Sequence, residues 1–384
     1  MMISRPCLVL PGRSTPGHSL VVAAILGLCM LASPGAQETR EWSDTSVRPL
    51  VEGARSALSL GYRAAAVELL DEVLSLAPSN SDAAYLRALL AQGDGEPGVL
   101  VERFLSSALS SDAFSLYDRT DAELLLAGIL VRTGRSGQAL RFLAGMPRDA
   151  EPLYLESLAK RALGDRAGSR AAVMESMRRF PSDPRPLLSW LLYGAPDPAD
   201  IEDSALVRKA FVVLPGLKEM DPDLLIALAP YAPDAEEARL LVREYRSANR
   251  LSPNSTVLAF SYGLIDVNKA TDELFSGNIA PDAADLRSLY ALLPDTVARD
   301  RFISGFSTYT GLVTCDDSGD GIPEATSLYR SGTLVSWVYD GDQDGQPERM
   351  ATMKESAPTE IRIRSGSAEL VLRYDPWPYV KTAT

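Results

Sequence analysis

The chain has 384 residues, with 51 acidic side chains against 38 basic ones and a formal net charge of −13. That length holds roughly two or three domains with sizeable cores, and 46% hydrophobic with 23% charged residues excludes a disordered chain. The acidic excess repels phosphate backbones, so no nucleic-acid partner is expected.

Met1 to Ala36 carries Arg5 and Arg13 and no acidic residue, then a 13-residue apolar run from Leu20 to Ala32 and a small-residue exit, Ser33-Pro34-Gly35-Ala36. A basic start, a short apolar stretch and small residues at the exit are the marks of a secretory signal peptide. A bilayer span needs about 20 apolar residues, so no stable membrane span is expected once the leader is removed. Lipidation at Cys29 is disfavoured, because Leu28 precedes it where a small residue is wanted and Met30 and Leu31 follow it. The expected location is therefore exported, periplasmic or in the cell envelope. Cleavage removes His18, Cys7 and Cys29 and takes the net charge from −13 to −15, leaving no His and only Cys315. Intrachain disulfides, Ser-His-Asp and Cys-His catalysis and His-ligated zinc then all drop out.

From 47 to 195 the chain is rich in Leu and Ala at helical spacing, with a break every dozen residues or so. Ala66, Leu69, Leu70, Val73 and Leu74 follow a glycine turn at Gly61 and end at Pro78, which spells an antiparallel helical hairpin. Gly134, Ala139 and Leu143 repeat the spacing of Gly61, Ala66 and Leu70, and Gly164, Ser169 and Val173 repeat it again. Pro78 and Pro181 lie 103 residues apart, close to three periods of about 34. A further unit, Ala83 to Asp112 turning near Gly93, fills the gap, and the third unit closes early at Pro147.

In these residues the chain resembles the tetratricopeptide repeat (TPR) family: Ala66 and Ala139 match its small second-helix position, Leu70 and Leu143 the bulky partner, and Pro78 and Pro181 the closing proline. Gly53 and Ala57 depart from it, standing where a leucine and an aromatic are usual. The resemblance implies a helical-hairpin solenoid whose first helices line a concave groove for a protein or peptide partner. Carried onto this chain, the groove positions are Arg48, Arg55, Leu124, Val131, Tyr154, Leu158 and Arg161. From 196 to 310, proline-rich breaks separate short helical segments, including one over Asp234 to Arg250, and the expectation is decayed repeats or a helical cap closing the array.

The period changes at Leu312. Leu328, Leu334, Val338, Met350, Ile361, Ile363, Leu370 and Leu372 alternate with polar residues. Ser331-Gly332, Gly345, Ala357-Pro358 and Ser365-Gly366 mark turns, which makes an antiparallel β meander of roughly five or six strands over 311–384. Two connections share a pattern: Asp316-x-Ser318-x-Asp320-Gly321-Ile322-Pro323-Glu324 and, 24 residues on, Asp340-x-Asp342-x-Asp344-Gly345-Gln346-Pro347-Glu348. Alternating oxygen side chains converge on a hard cation, and the loops resemble the D-x-D-x-D-G calcium loops of EF-hands and extracellular modules. The bidentate Glu of the EF-hand would fall on Ser327 and Ala351, so Glu324 and Glu348 are the candidate closing ligands of a Ca2+ site. Asp and Gly also serve such turns for conformational reasons alone.

Ser157-x-x-Lys160, Ser247-x-Asn249 and Lys381-Thr382-Ala383 imitate the motif order of penicillin-binding enzymes, but Ser157 falls mid-helix in a repeat and Ala383 replaces the final Gly. No catalytic residue is expected. The reading is a mainly α, TPR-like helical-hairpin solenoid with a C-terminal antiparallel β meander, acting as a non-catalytic envelope scaffold. The alternative is a carbohydrate-binding or adhesive module using the acidic β segment.

Overall fold

A computed structural model describes residues 44–248, 250–276, 280–316, 322–366 and 368–384. The leader, with His18 and Cys29, lies outside the described residues, as do Asn249, Ser318 and Asp320. No helix among the described residues is long and apolar enough to cross a membrane.

The fold is a solenoid of helical hairpins followed by an antiparallel sheet. Four hairpins come first: α1 (Asp44–Ser59) with α2 (Arg63–Leu76), α3 (Ser81–Gly93) with α4 (Gly98–Ser111), α5 (Arg119–Arg132) with α6 (Ser136–Leu143), and α7 (Ala150–Ala162) with α8 (Arg166–Arg179). Gly61, Gly134 and Gly164 sit at φ +83°, +69° and +77° in three of the turns, a left-handed conformation that lets the chain reverse within a three-residue connection. The second hairpin turns at Gly95 (φ +70°) instead of Gly93, because the longer connection Asp94–Pro97 carries the reversal.

Ala66, Leu70, Ala139, Leu143, Ser169 and Val173 are all buried, so the repeated spacing does mark the packing positions. Each hairpin hides its apolar side against the next. One core runs over α1–α3 around Val51, Leu70 and Leu86, and the next over α3–α7 around Leu105, Leu126 and Ile129. Leu74, Leu89 and Tyr117 pack against both, as expected of a stack that has no single centre.

Helices continue through α9 (Arg185–Tyr193), α10 (Ile201–Leu217), α11 (Asp223–Leu228), α12 (Ala235–Ser247), α13 (Pro253–Ser261), α14 (Val267–Phe275), α15 (Ala283–Leu292) and α16 (Thr296–Thr308). Side-chain caps from Asp200, Asp234, Asp266, Asp282 and Asp295 start five of them, and a Ser252–Ser255 capping box starts α13. Gly263 (φ +69°) repeats the glycine turn between α13 and α14. The connection there is two residues longer than the one at Gly61, so Ala270 and Leu274 take the buried places that Ala66 and Leu70 hold in the first hairpin.

The sheet has seven strands rather than five or six, each antiparallel to the next in sequence order: β1 (Gly311–Cys315), β2 (Ala325–Arg330), β3 (Thr333–Tyr339), β4 (Arg349–Lys354), β5 (Ala357–Ser365), β6 (Ala368–Tyr374) and β7 (Val380–Ala383). The turn expected at Ala357-Pro358 falls instead on Glu355 and Ser356, both at positive φ, and Pro358 joins β5 opposite Met353 beside a register shift.

At one end the sheet is rooted on the last helices. Thr314 N–H donates to the Pro281 carbonyl (3.0 Å) and Asp316 N–H to Asp282 Oδ2 (3.2 Å). The buried Tyr309 donates to the Leu312 carbonyl (2.7 Å), and Phe306 meets Tyr329 edge-on at 5.0 Å. Gly332 approaches α16 so closely that a Cβ there would lie 2.6 Å from Ser307 Cα.

Candidate functional site

α3, α5 and α7, the first helices of three successive hairpins, and α9 after them line one side of the array around a half-open cavity of about 1110 Å³. Leu124 and Val131 of α5 and Tyr154, Leu158 and Arg161 of α7 all line it, whereas Arg48 and Arg55 sit exposed on α1, outside the lining. Arg48 pairs locally with Glu52 (3.0 Å).

The cavity also takes Tyr85 from α3 and Leu188, Leu192 and Tyr193 from α9. Leu192 could have been read from the period, since Leu124, Leu158 and Leu192 recur every 34 residues. It was missed because α9 follows the proline that closes the fourth unit. Four further lining residues, Ile322, Glu324, Gly341 and Gln343, come from the two acidic loops of the sheet. No local pattern could announce them, because their place depends on where the sheet folds back.

Helix polarity gives the groove two unlike lips. Asp121 and Glu151 stand in the first turns of α5 and α7, and Arg132 and Arg161 in their last turns, as the helix dipole favours. Asp223, at the start of α11, joins the acidic lip. Between the lips runs the apolar floor of Leu124, Leu158, Leu188 and Leu192.

Two arginines are held in fixed poses. Arg161 donates to the Ser189 carbonyl and Oγ (3.0 and 2.8 Å) and lies 5.4 Å over the Tyr193 ring. Arg185 lies 4.9 Å over Tyr154 and pairs with Glu151 (2.6 Å) and Asp183 (2.9 Å). Burial raises the Tyr154 hydroxyl above the usual phenol range despite Arg185 beside it, so the ring stays neutral.

The β3–β4 connection, 340–348, is closed by its own carboxylates. Asp340 accepts from Asp344 N–H (3.2 Å) and Gly345 N–H (2.9 Å), and Glu348 accepts from Gly341 N–H (2.7 Å). Gly345, at φ +81°, makes the sharp turn. Asp340, Asp342 and Glu348 bring carboxylate oxygens within 4.8 Å of one another, a group that can hold a metal ion. Burial raises the Asp340 and Asp342 carboxyls above the usual range, and Asp344 and Glu348 add to it by repulsion. A cation would relieve that repulsion, and an all-oxygen set suits a hard one.

Asp344 points away from this trio, into its own turn, where it accepts from Gln346 N–H (2.7 Å). Of the first loop, Asp316 and Glu324 are described. Glu324 is buried and accepts from Gln343 Nε2 (3.2 Å), which also donates to the Ile322 carbonyl (3.0 Å), so the two loops are tied to each other.

Ser157, Lys160 and Lys381 serve other ends: Ser157 is buried and donates to the Tyr154 carbonyl (2.7 Å), Lys160 pairs with Glu156 (2.6 Å), and Lys381 pairs with Asp375 on the far side of the sheet (2.9 Å).

No family model matches the sequence, and no curated protein matches it. Similar solved structures include a tetratricopeptide repeat protein from Parabacteroides merdae, 14% identical, TM-score 0.46, covering 67% of this chain and 98% of that one. PilF of Pseudomonas aeruginosa is 17% identical, TM-score 0.34, over 68% of this chain and 97% of that one. The C-terminal part of a TPR repeat-containing protein from Cytophaga hutchinsonii is 15% identical, TM-score 0.39, over 60% and 88%.

Proposed function

We propose that this chain is a non-catalytic scaffold of the cell envelope, exported by its leader, that holds a segment of a partner protein in the cavity of its concave face. The observation that carries the reading is the cavity's make-up: a row of leucines one repeat apart, flanked by aromatic rings and pre-set arginines, with an acidic lip on one side and a basic lip on the other. Aromatic and arginine side chains in a desolvated pocket are the usual anchors of protein interfaces. A matching segment would present apolar side chains to the leucine row, basic residues to Asp121 and Asp223 beside the Glu151–Arg185 pair, and acidic ones to Arg132 and Arg161. The absence of His from the mature sequence and the engagement of Ser157 and Lys160 within the repeats support a binding role.

The test is capture from envelope extract by the full mature chain and by Leu158→Glu. A charge placed in the apolar floor is expected to weaken capture of the specific partner by about 2 kcal/mol or more. Retention of the same proteins at the same yield by the variant would sink the reading. A second reading has its own observation: Trp377 and Tyr379 are 46% and 71% exposed, with Tyr374 edge-on to Trp377 at 4.6 Å, a platform on which a sugar ring can stack. Trp377→Ala separates the two, since it leaves capture through the groove unchanged.

Within the same proposal, Asp340, Asp342 and Glu348 bind calcium and order the second loop. Extracellular sites of this kind have Kd of about 10⁻⁴–10⁻³ M. Calcium at about tenfold above such a Kd is expected to stabilise the protein by about 1.4 kcal/mol. A denaturation series with and without calcium should show that stabilisation, and Asp342→Asn should abolish it. Identical wild-type curves with and without calcium remove calcium from the proposal.

A further inference from the structure

The floor of the cavity is stepped. One helical turn beyond Leu124 and Leu158, towards the basic lip, stand Gly128 and Ala162, which also line the cavity and also lie one repeat apart. One turn the other way stand the larger Tyr154 and Leu188, again one repeat apart. The floor therefore falls from a ring and leucines near the acidic lip to a pair of small seats near the basic one. A Cβ placed on Gly128 would lie 3.8 Å from Leu155 Cδ1, an ordinary contact, and Ala162 is exposed. Both seats have room for a large side chain brought from outside.

The spacing decides what can sit there. Neighbouring helices pack about 8–10 Å apart, so the two seats recur at about 10 Å. An α-helix lying across α5, α7 and α9 brings residues seven apart back to one face after about 10.5 Å. An extended strand returns to the same face every two residues, at about 6.6 Å, and is out of step by the second seat. Width gives the same answer. Asp121 and Arg132 lie eleven residues apart on α5, which sets the lips about 16 Å apart. A helix about 10–12 Å across with its side chains fills that width and reaches a lip on each flank. A polyproline chain repeats at about 9.3 Å but is too thin to pack against both sides of the space.

We propose that the cavity receives an amphipathic helix of the partner, lying crosswise over α5, α7 and α9. Bulky apolar residues seven apart sit over Gly128 and Ala162. Acidic residues on one flank of the helix face Arg132, and basic residues on the other face Asp121 and Asp223. The inference rests on the cavity being the partner site, and adds the conformation and charge pattern of what binds in it.

The test selects a display library of random segments, about 18 residues long so as to cross three helices, on the full mature chain. Selected segments should carry large apolar residues at a period of seven, with acidic residues along one flank and basic ones along the other. A synthetic peptide of the consensus sequence should gain helical circular dichroism on binding. Ala162→Leu fills a seat at an exposed position and should weaken that peptide about tenfold or more. Arg132→Glu should weaken it about fivefold, and the helicity of both variants should match the parent. A selected period of two or three overturns the helix, as does equal binding of the consensus peptide by Ala162→Leu and the parent. So does a library that yields no segment preferring the parent to Leu158→Glu. If envelope capture still depends on Leu158 after such a result, the partner site stands and only the form of its occupant is lost. A consensus helix that binds while envelope capture ignores Leu158 removes the envelope partner instead.

Discussion

Asp203→Ala is expected to cost about 3–5 kcal/mol, because it removes a buried carboxylate that two arginines and a main-chain amide share. Asp203 stands in the first turn of α10 with its side chain fully buried. It accepts from Arg170 Nη1 (2.7 Å) and Asp197 N–H (2.9 Å) and makes a close ion pair with Arg166. Arg166 also donates to the Gly194 and Ala195 carbonyls (3.0 and 2.9 Å), and Arg170 pairs with Asp200 (3.3 Å) and Glu202. One carboxylate thus fastens α8, the loop after α9 and α10 together, at the point where the four hairpins pass into the later helices. The array has successive cores rather than one, so the loss should appear as a separate, earlier unfolding transition and not as a uniform shift. Chemical denaturation followed by circular dichroism checks it, and an unchanged profile would contradict the network's importance.

The pH dependence has a definite sign. Burial pushes the Asp203 carboxyl up, but Arg166, the Asp197 amide and Arg170 together outweigh it and hold the group below the usual carboxylate range. A depressed folded pKa contributes stability that is complete above the unfolded value of about 3.9 and disappears as pH falls through the folded one. The gap between wild type and Asp203→Asn should therefore be full at neutral pH and close only in strong acid.

Much of the helical part was legible because packing positions recur. Ala66, Leu70, Ala139 and Leu143 had to be small or bulky for hairpins to nest, and the glycine turns had to reverse the chain within three residues. Where a connection changed length the reading lapsed: the turn at Gly263 belongs to the same series, but two inserted residues moved its buried pair to Ala270 and Leu274. Strand alternation located the sheet, while Pro358 misled, since a proline near a hairpin reads as a turn although the strand starts just before it. Of the seven positions that the resemblance implied, five line the cavity and Arg48 and Arg55 do not. The loops that wall the same cavity were read only for their carboxylates, because folding a sheet back over a concave face is a long-range event with no local signature.

Asp82→Ala should be about as damaging as the loss of Asp203, for a different reason. Asp82, in the first turn of α3, is 2% exposed, and its carboxylate accepts the N–H groups of Ser115 (3.0 Å), Leu116 (3.1 Å) and Tyr117 (3.1 Å) as well as the Ser115 hydroxyl (2.7 Å). Its neighbour Ser81 donates to the Ala108 carbonyl (2.7 Å) and accepts from Ala113 N–H (3.0 Å), so consecutive side chains bind the whole connection from α4 to α5. Alanine would strand three main-chain donors at about 1–3 kcal/mol each, or about 3–5 kcal/mol after relaxation. Asparagine keeps one acceptor oxygen and should lose about half of that. The connection carries Tyr117, which meets Tyr85 edge-on at 5.2 Å and sets α5 against α3. Loosening it moves Leu124 and Val131 relative to Tyr85, and the damage should reach the cavity as well as the fold. Amide exchange at 115–117 should accelerate in Asp82→Ala before global unfolding, whereas Asp121→Ala, an exposed position on the acidic lip, should leave stability within about 0.5 kcal/mol of the parent. Equal exchange in Asp82→Ala and wild type would show that water satisfies those amides, and would move the anchor of α5 to its apolar contacts.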